Sequence, residues 1–180
     1  MRALVVYESM YGNTHTIASN IAKGLRVTHE VTLVPVADAT AELVASADLL
    51  VAGAPTHMHG LPSAASRQMA ADAAGKAAGD LWLDPAVLGP GLRDWLNGIG
   101  RAGALAAAFD TRLDGVPMFT GRASRIIGRL LERHGYRLAA APESFLVSKQ
   151  NTLLDGEAAR ARRWGAALGT AARDISALAR

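Results

Sequence analysis

Short apolar runs alternate with amphipathic segments along the whole chain, and this alternation constrains the fold more than any other feature. We place strands near residues 2–7, 30–36, 48–54, 103–109 and 137–147, with helical segments between and after them. Each helical connection returns the chain to the same edge of the sheet, so consecutive strands run parallel. The pattern therefore predicts an α/β fold with a five-stranded parallel sheet.

Two helices are predicted from apolar residues that recur every three or four positions. The first spans Ala123 to His134, and Gly135 follows as a C-terminal stop. The second occupies the last segment, where Trp164 falls on the same apolar stripe as Leu168. We therefore interpret Trp164 as a core residue rather than as a platform for a ligand.

The composition favours one globular domain over residues 1–180. Half of the 180 residues are apolar, which is enough to bury a sizeable core. Cysteine is missing from the sequence, which excludes disulfides, thiolate metal sites, iron–sulfur clusters and a cysteine nucleophile. No apolar stretch approaches the ~20 residues that span a bilayer, and the N-terminal apolar run is too short for a signal peptide. We expect a soluble cytoplasmic protein that binds no membrane.

The loop after the first strand has the residue types of a phosphate site. The hydroxyls of Ser9 and Thr14 can donate hydrogen bonds, Gly12 permits a positive φ, and the free amides of a helix start point into such a loop. An ordinary capped turn between strand and helix uses the same residue types. The loop lacks the P-loop ending and the three-glycine dinucleotide spacing, so nucleoside triphosphates and NAD are poor candidates. The predicted phosphate residues are Ser9, Met10, Tyr11, Gly12, Asn13 and Thr14.

Two further loops follow strands at the edge where open parallel sheets bind their ligands. The second loop could lie along a planar heteroaromatic ring and hydrogen-bond its edge. Its candidate residues are Pro55, Thr56, His57, Met58, His59 and Gly60. The third loop, which we expect to end the fourth strand, contributes Phe109, Asp110, Thr111 and Arg112. His57 and His59 could instead bind a metal together with His15, but without a neighbouring carboxylate or cysteine we expect no metal site.

Residues 61–100 are longer than a simple helical crossover requires. They contain an alanine-rich helix candidate at Ser63–Ala78, a break at Gly89-Pro90-Gly91 and a short helix through Trp95. We interpret the segment as an insertion or an extended crossover. Its glycines suggest hinges, which leads to the hypothesis of a lid over the second loop.

These motifs resemble those of the flavodoxin-like proteins over nearly the whole chain. The run Tyr7-Glu8-Ser9-Met10-Tyr11-Gly12-Asn13-Thr14 is similar to the flavodoxin phosphate loop, in the form seen in flavodoxin-like quinone reductases. Gly53-Ala54-Pro55-Thr56 resembles the second flavin loop of that superfamily. The resemblance implies a three-layer sandwich with strand order 2-1-3-4-5 and noncovalent FMN. It implies that Ser9–Thr14 hold the phosphate, and that Pro55–Gly60 and Phe109–Arg112 hold the flavin ring.

The leading functional hypothesis is an FMN protein that passes electrons, either as a carrier or as a small flavin-dependent oxidoreductase. The flavin supplies the chemistry, so no catalytic side chain is required. The alternative is a flavodoxin-fold binding or scaffold protein that has lost flavin, since a fold does not fix a function. Its support is that no Tyr or Trp follows the strands to stack on a ring.

Charge and motif patterns narrow the classes of partner. Residues 1–100 carry six basic and nine acidic side chains, whereas residues 101–180 carry thirteen basic and seven acidic ones. This asymmetry fits a basic face for an anionic partner, or an ordinary arginine-rich surface. No interleaved aromatics accompany the arginines, so we expect no nucleic-acid binding. A response-regulator receiver is rejected because Ala52 and Gly53 stand where the phosphoacceptor aspartate would be.

Overall fold

A parallel sheet forms the centre of the molecule. The computed structural model describes residues 1–57, 59–76, 83–85, 87–100 and 103–178. The strands are β1 (Arg2–Tyr7), β2 (Glu30–Pro35), β3 (Leu49–Pro55), β4 (Leu105–Leu113), β5 (Arg137–Leu138) and β6 (Glu143–Val147). Their order in the sheet is β2-β1-β3-β4-β5, and β6 also pairs with β4. The predicted fold class and strand order are confirmed.

Helices cover both faces of the sheet. They are α1 (Asn13–Leu25), α2 (Ala41–Ser46), α3 (Ala64–Lys76), α4 (Leu92–Gly98), α5 (Pro117–Thr120), α6 (Ala123–Arg133) and α7 (Glu157–Leu178). One core joins α1 and α7 to Val5, Val51 and Phe109. The other joins α4 and α6 to Val6 and Ala52. Because successive side chains of a strand point to opposite faces, the buried strands contribute residues to two separate apolar layers.

Two of the predicted strand boundaries are wrong. β4 continues to Leu113 instead of ending at residue 109, because β6 pairs with it from Phe109 to Leu113. The predicted strand at 137–147 is interrupted between β5 and β6. Pro142 lies in the interruption, and its missing N–H cannot donate to β4. Together β5 and β6 occupy the position of the single fifth strand.

The described residues of the long crossover between β3 and β4 contact the first loop. The amide of Asp84 donates to the carbonyl of Met10 at 2.7 Å, and the Tyr11 hydroxyl donates to the carbonyl of Ala70 at 3.3 Å. Met10, Ala70 and Val87 form a small apolar cluster there. Apolar side chains of the first loop thus hold the described part of this segment, and the hypothesis of a lid over the second loop stays a prediction. Residues 77–82 of the crossover lie outside the described residues.

Trp164 is partly buried and packs edge-on against Phe145, with ring centroids 6.2 Å apart, which confirms its assignment to the core. Within the described part of the chain, no helix is long and apolar enough to cross a membrane.

Candidate functional site

A cleft of about 220 Å³ opens at the carboxyl edge of the sheet, where β1, β3, β4 and β6 end. Parallel strands direct their carboxyl ends to one edge, which is where open α/β sheets bind ligands. The first and second predicted loops face each other across this cleft. Its lining residues are Met10, Tyr11, Asn13, Thr14, Pro55, Thr56, His57, Thr111, Arg112, Leu113, Val147 and Asn151.

The first loop presents the start of α1 to the cleft. Gly12 has φ 83°, a left-handed conformation that glycine adopts without strain, and its amide donates to Ser9 Oγ at 3.1 Å. α1 begins at Asn13, so its first amides have no partner within the helix. The helix dipole adds positive potential at the same point. The loop therefore has the backbone features of an anion site, and its role in phosphate binding stays a prediction.

The hydroxyls of the first loop retain a hydrogen to donate. Ser9 Oγ accepts a hydrogen bond from the Gly12 amide, so the hydrogen of the Ser9 hydroxyl is not used in that bond. Thr14 Oγ1 lies 2.7 Å from Thr111 Oγ1, and a hydroxyl pair uses one of its two hydrogens between the partners. The other hydrogen can point to a ligand. Thr111 thus joins the first loop to β4, a contact that the sequence does not reveal.

The second loop is fixed to the N-terminus of α6 by Thr56 and Asp110. Thr56 Oγ1 accepts from the Ala123 amide at 2.8 Å and donates to Asp110 Oδ2 at 3.1 Å. The same carboxylate oxygen accepts from the Ser124 amide at 2.8 Å. Two side chains from neighbouring strands therefore cap a helix whose own preceding residue, Arg122, provides no side-chain cap.

The remaining part of the second loop is a tight turn. His57 and Gly60 exchange two backbone hydrogen bonds, at 2.9 and 3.0 Å, and His59 has φ 68°. His57 lines the cleft, whereas the backbone of His59 pairs with Gly121. Met58, a predicted site residue, lies outside the described residues. His59 and Gly60 are not lining residues of the cleft.

Residues 109–112 form the end of β4, so their assignment to a loop is wrong. Continued pairing with β6 keeps them in the strand. Phe109 is fully buried in the core and packs against Gly53, where a Cβ would lie 2.2 Å from its ring. Asp110 is also fully buried and caps α6. Thr111 and Arg112 are the two residues of this segment that reach the cleft.

Arg112 brings a buried positive charge to the cleft wall. Its side chain is 8% exposed, and one guanidinium nitrogen donates to the carbonyls of Leu113 and Gly115 and to Thr120 Oγ1, at 2.9–3.1 Å. Among the described residues, no carboxylate forms an ion pair with it. Arg112 therefore orders the chain after β4 and places a positive charge at the cleft wall.

Asn151 completes the cleft and was not predicted from the sequence. Asn13 Nδ2 donates to the carbonyl of Asn151 at 2.8 Å and lies 3.2 Å from its Oδ1. Asn151 has φ 59°, a conformation that Asn tolerates better than most residues. The available signal was a polar run after the last strand, because this loop ends at the same sheet edge as the other loops.

The sequence model of the flavodoxin family matches residues 5–110, more than half of the chain. The chain belongs to the flavodoxin family. The match includes the first and second loops and ends within β4, so the lining residues from Thr111 onward lie beyond it. No curated protein sequence matches the chain.

Solved structures with the same architecture cover almost the whole chain. A flavodoxin from the domain Archaea has 17% identity and TM-score 0.64, covering 96% of this chain and 99% of its own. Flavodoxin 1 from Bacillus cereus has 22% identity and TM-score 0.64, with coverage of 94% and 98%. A flavodoxin, WrbA-like protein from Agrobacterium tumefaciens has 22% identity and TM-score 0.59, with coverage of 96% and 98%. At these identities, the similarity shows the flavodoxin fold.

The residues around the cleft fit FMN, the cofactor of the flavodoxin family. The helix-start amides and the hydroxyl of Thr14, which lines the cleft, offer donors to a phosphate dianion, whereas Ser9 is 3% exposed and is not a lining residue. Tyr11 and His57 supply flat side chains along the cleft, although no Tyr or Trp directly follows β3 or β4. The Tyr11 hydroxyl bond to Ala70 fixes one of these rings. The hydrogen-bond donors suit the phosphate of FMN, and the flat side chains suit its ring.

The alternative of a metal site finds no support in the histidines. His15 stacks on Tyr7, with ring centroids 4.7 Å apart. The backbone of His59 pairs with Gly121, while His57 lines the cleft. In the described ranges, no group of three or more His, Asp or Glu residues is placed to hold a metal ion.

A buried ionic contact links the start of the first loop to the long crossover. Glu8 is 4% exposed and accepts a hydrogen bond from the Leu92 amide at 2.8 Å, and Arg67 lies 3.7 Å away. Burial raises the pKa of the Glu8 carboxyl above 4.5, and this effect outweighs the opposing influence of Leu92 and Arg67. Gly91 allows Arg67 to approach, because a Cβ there would lie 2.1 Å from the guanidinium. These contacts tie the long crossover to the end of β1.

Proposed function

We propose that this chain binds FMN noncovalently in the cleft and passes electrons, as a carrier or as a small flavin-dependent oxidoreductase. The observation that carries the proposal is the start of α1 opening on a cleft at the carboxyl edge of the sheet. Bound FMN supplies one- and two-electron chemistry, and the protein supplies position and electrostatics. No side chain is required as an acid or a base.

The first loop has the role of holding the phosphate. Residues Ser9–Thr14 offer amides and hydroxyls, and the α1 dipole favours the dianion. This arrangement supports FMN over riboflavin, which lacks the phosphate. Neither the P-loop ending nor the three-glycine dinucleotide motif accompanies the loop, which supports FMN over FAD.

The opposite wall has the role of positioning the ring. Thr56 and Asp110 fix the start of the second loop to α6, so His57 is held against the cleft. Arg112 lies on the same wall, and its charge favours the reduced, anionic form of a flavin. Buried hydrogen-bonded side chains thus preorganise this wall before a ligand arrives.

Titration of the purified protein with FMN, FAD and riboflavin tests the proposal. We expect FMN to bind most tightly, with quenching of its fluorescence. Ser9→Ala combined with Thr14→Ala is expected to weaken FMN by about 1.5 to 3 kcal/mol for each lost charge-assisted hydrogen bond. The riboflavin affinity of this variant should stay close to that of the parent.

A control substitution on the same helix separates a phosphate effect from a folding effect. Asn20→Ala removes a side-chain amide that donates to the carbonyl of Thr16 within α1, away from the first loop and the cleft lining. We expect parent-like FMN affinity for this variant. Equal affinity of the parent for riboflavin and FMN would contradict the phosphate assignment. Absence of binding to all three flavins would favour the scaffold alternative.

A cytoplasmic location belongs to the same proposal, because flavodoxin-type carriers exchange electrons with soluble partners. Its support from this chain is the lack of a membrane-spanning helix among the described residues.

A further inference from the structure

An exposed apolar patch lies beside the cleft. Nine large apolar side chains are exposed among the described residues, and four of them fall between residues 113 and 119. They are Leu113 (48% exposed), Val116 (60%), Met118 (83%) and Phe119 (72%). Single exposed apolar residues are common on protein surfaces, whereas a cluster marks an interaction surface. We call these four residues the apolar patch.

The apolar patch is joined to the cleft by a short and ordered connection. Leu113 and Arg112 line the cleft, and Arg112 donates to Leu113, Gly115 and Thr120 around the patch. The Phe119 amide and the Thr120 hydroxyl both donate to the carbonyl of Val116. The apolar side chains are therefore presented by a hydrogen-bonded turn, which lowers the entropic cost of binding a partner.

The surroundings of the patch are mainly basic. Arg125 and Arg129 are exposed and lie one helical turn apart on α6, which directly follows the patch. Lys149 is exposed on the loop after β6, and this loop is held near Asp114 by a bond from the Asp114 amide to Val147. Arg133 on α6 is also exposed, and the exposed acids on these segments are Asp114, Glu132 and Asp155. The segments next to the apolar patch therefore carry more basic than acidic exposed side chains, and we call these basic side chains the basic rim.

We propose that the apolar patch and its basic rim are the docking surface for an acidic electron-transfer protein. The inference rests on the proposed function, because the docking surface would place a redox partner beside bound FMN. Interfaces combine an apolar centre with a polar rim, and complementary charge accelerates encounter. A second copy of this chain fits less well, since twofold pairing of the patch would bring the two basic rims together.

Binding of a plant-type [2Fe–2S] ferredoxin, used as an acidic probe, tests the surface. Labelled ferredoxin is titrated with the FMN-treated protein and followed by fluorescence polarisation at low and physiological salt. Phe119→Ser is expected to weaken binding by at least about fivefold, because it removes an apolar anchor. Arg125→Glu is expected to weaken it by a similar factor at low salt and by less at physiological salt.

Two control variants make comparable substitutions, one of an apolar side chain and one of an arginine, away from the apolar patch. Val27→Ser changes a side chain that is 76% exposed between α1 and β2, and Arg163→Glu reverses an exposed charge on α7, across the sheet from α6. Both are expected to bind ferredoxin within about twofold of the parent. Equal weakening in these controls, no binding by the parent, or affinity independent of salt would overturn the proposal.

Two further measurements distinguish other occupants. Sedimentation with phosphatidylserine vesicles that depends on Phe119, with ferredoxin binding unaffected, would assign the patch to a membrane surface instead. A dimer that Phe119→Ser dissociates would assign it to a second copy. FMN binding is scored separately by flavin fluorescence. Because ferredoxin binding requires no flavin reduction, the docking surface can fail while the proposed function holds, and the reverse is also measurable.

Discussion

Asp110 shows how one buried residue links the strand scaffold to the candidate site. Its carboxylate accepts hydrogen bonds from Thr56 and from the Ser124 amide, so it holds both the second loop and α6. Burial raises its pKa above 3.8 and outweighs the lowering effect of the bonds from Ser124, Ser144 and Thr56. Ionised Asp110 is therefore less favourable in the folded protein than in the unfolded chain.

We predict that Asp110→Asn makes the protein relatively more stable as the pH rises. Because the folded-state pKa is raised, the stability contributed by protonated Asp110 is fully present below the unfolded pKa and is lost as the pH rises through the folded pKa. Asn stays neutral throughout, and its carbonyl can still accept from Thr56 or Ser124. Urea unfolding of parent and variant from acidic to neutral pH should show a widening difference in the free energy of unfolding.

The exposed Asp174→Asn gives the baseline for removing one negative charge from the surface. A constant difference between Asp110→Asn and the parent across this pH range would show that Asp110 is not the group whose burial shapes the pH dependence.

At the scale of secondary-structure elements, the second loop depends on close approach between two backbones. His59 pairs with Gly121, which has φ 77°, and a Cβ on Gly121 would lie 2.4 Å from the His59 backbone. Gly156 has a similar φ of 81° but no atom within 4 Å of its Cβ position. The two glycines thus share a conformational requirement and differ in crowding.

We predict that Gly121→Ala destabilises the protein more than Gly156→Ala does. Both variants should lose about 1 kcal/mol because alanine is strained at positive φ. Gly121→Ala should lose about 1 to 3 kcal/mol more, since its Cβ must displace the second loop. Chemical unfolding measures the difference, and FMN titration should show weaker binding for Gly121→Ala alone. Equal losses of stability in the two variants would mean that the backbone at His59 moves away from the added methyl group at no energetic cost.

For the molecule as a whole, the packing of α7 on α1 closes one layer of the sandwich. α7 lies beyond the segment matched by the flavodoxin family model, yet Ala161, Leu168 and Ala172 belong to the core that it shares with α1. The two helices touch through glycine, because a Cβ on Gly165 would lie 2.3 Å from the carbonyl oxygen of Ile21. The layer can form only with this close backbone contact.

We predict opposite effects of one substitution in two helices. Gly165→Ala should lower the free energy of unfolding by about 1 to 3 kcal/mol, because the added methyl group forces α7 away from α1. Gly75→Ala in α3, where no atom lies within 4 Å of the Cβ position, should leave stability unchanged or raise it by up to about 1 kcal/mol through helix propensity. Equilibrium unfolding of the parent and the two variants measures these differences in the free energy of unfolding. A neutral Gly165→Ala would mean that the helices separate readily.

The sequence by itself determined the fold class and the position of the first loop, whereas the strand order was implied by the resemblance to the flavodoxin-like proteins. Local patterns carry this information: apolar runs of strand length, helical periodicity through Ile127 and Leu131, and a glycine at the positive φ of residue 12. Each feature depends on near neighbours in the chain, so it can be interpreted without knowing what packs against it. The role of the first loop in phosphate binding stays a prediction.

The tertiary structure decided which side chains reach the cleft. β6 extends β4 past Phe109, buries Asp110 and leaves Arg112 at the cleft wall, and the loop after β6 brings Asn151 opposite Asn13. The long crossover covers the first loop through its apolar contacts. These outcomes depend on pairings between residues far apart in sequence, whose energies come from burial and hydrogen bonding that no local pattern encodes.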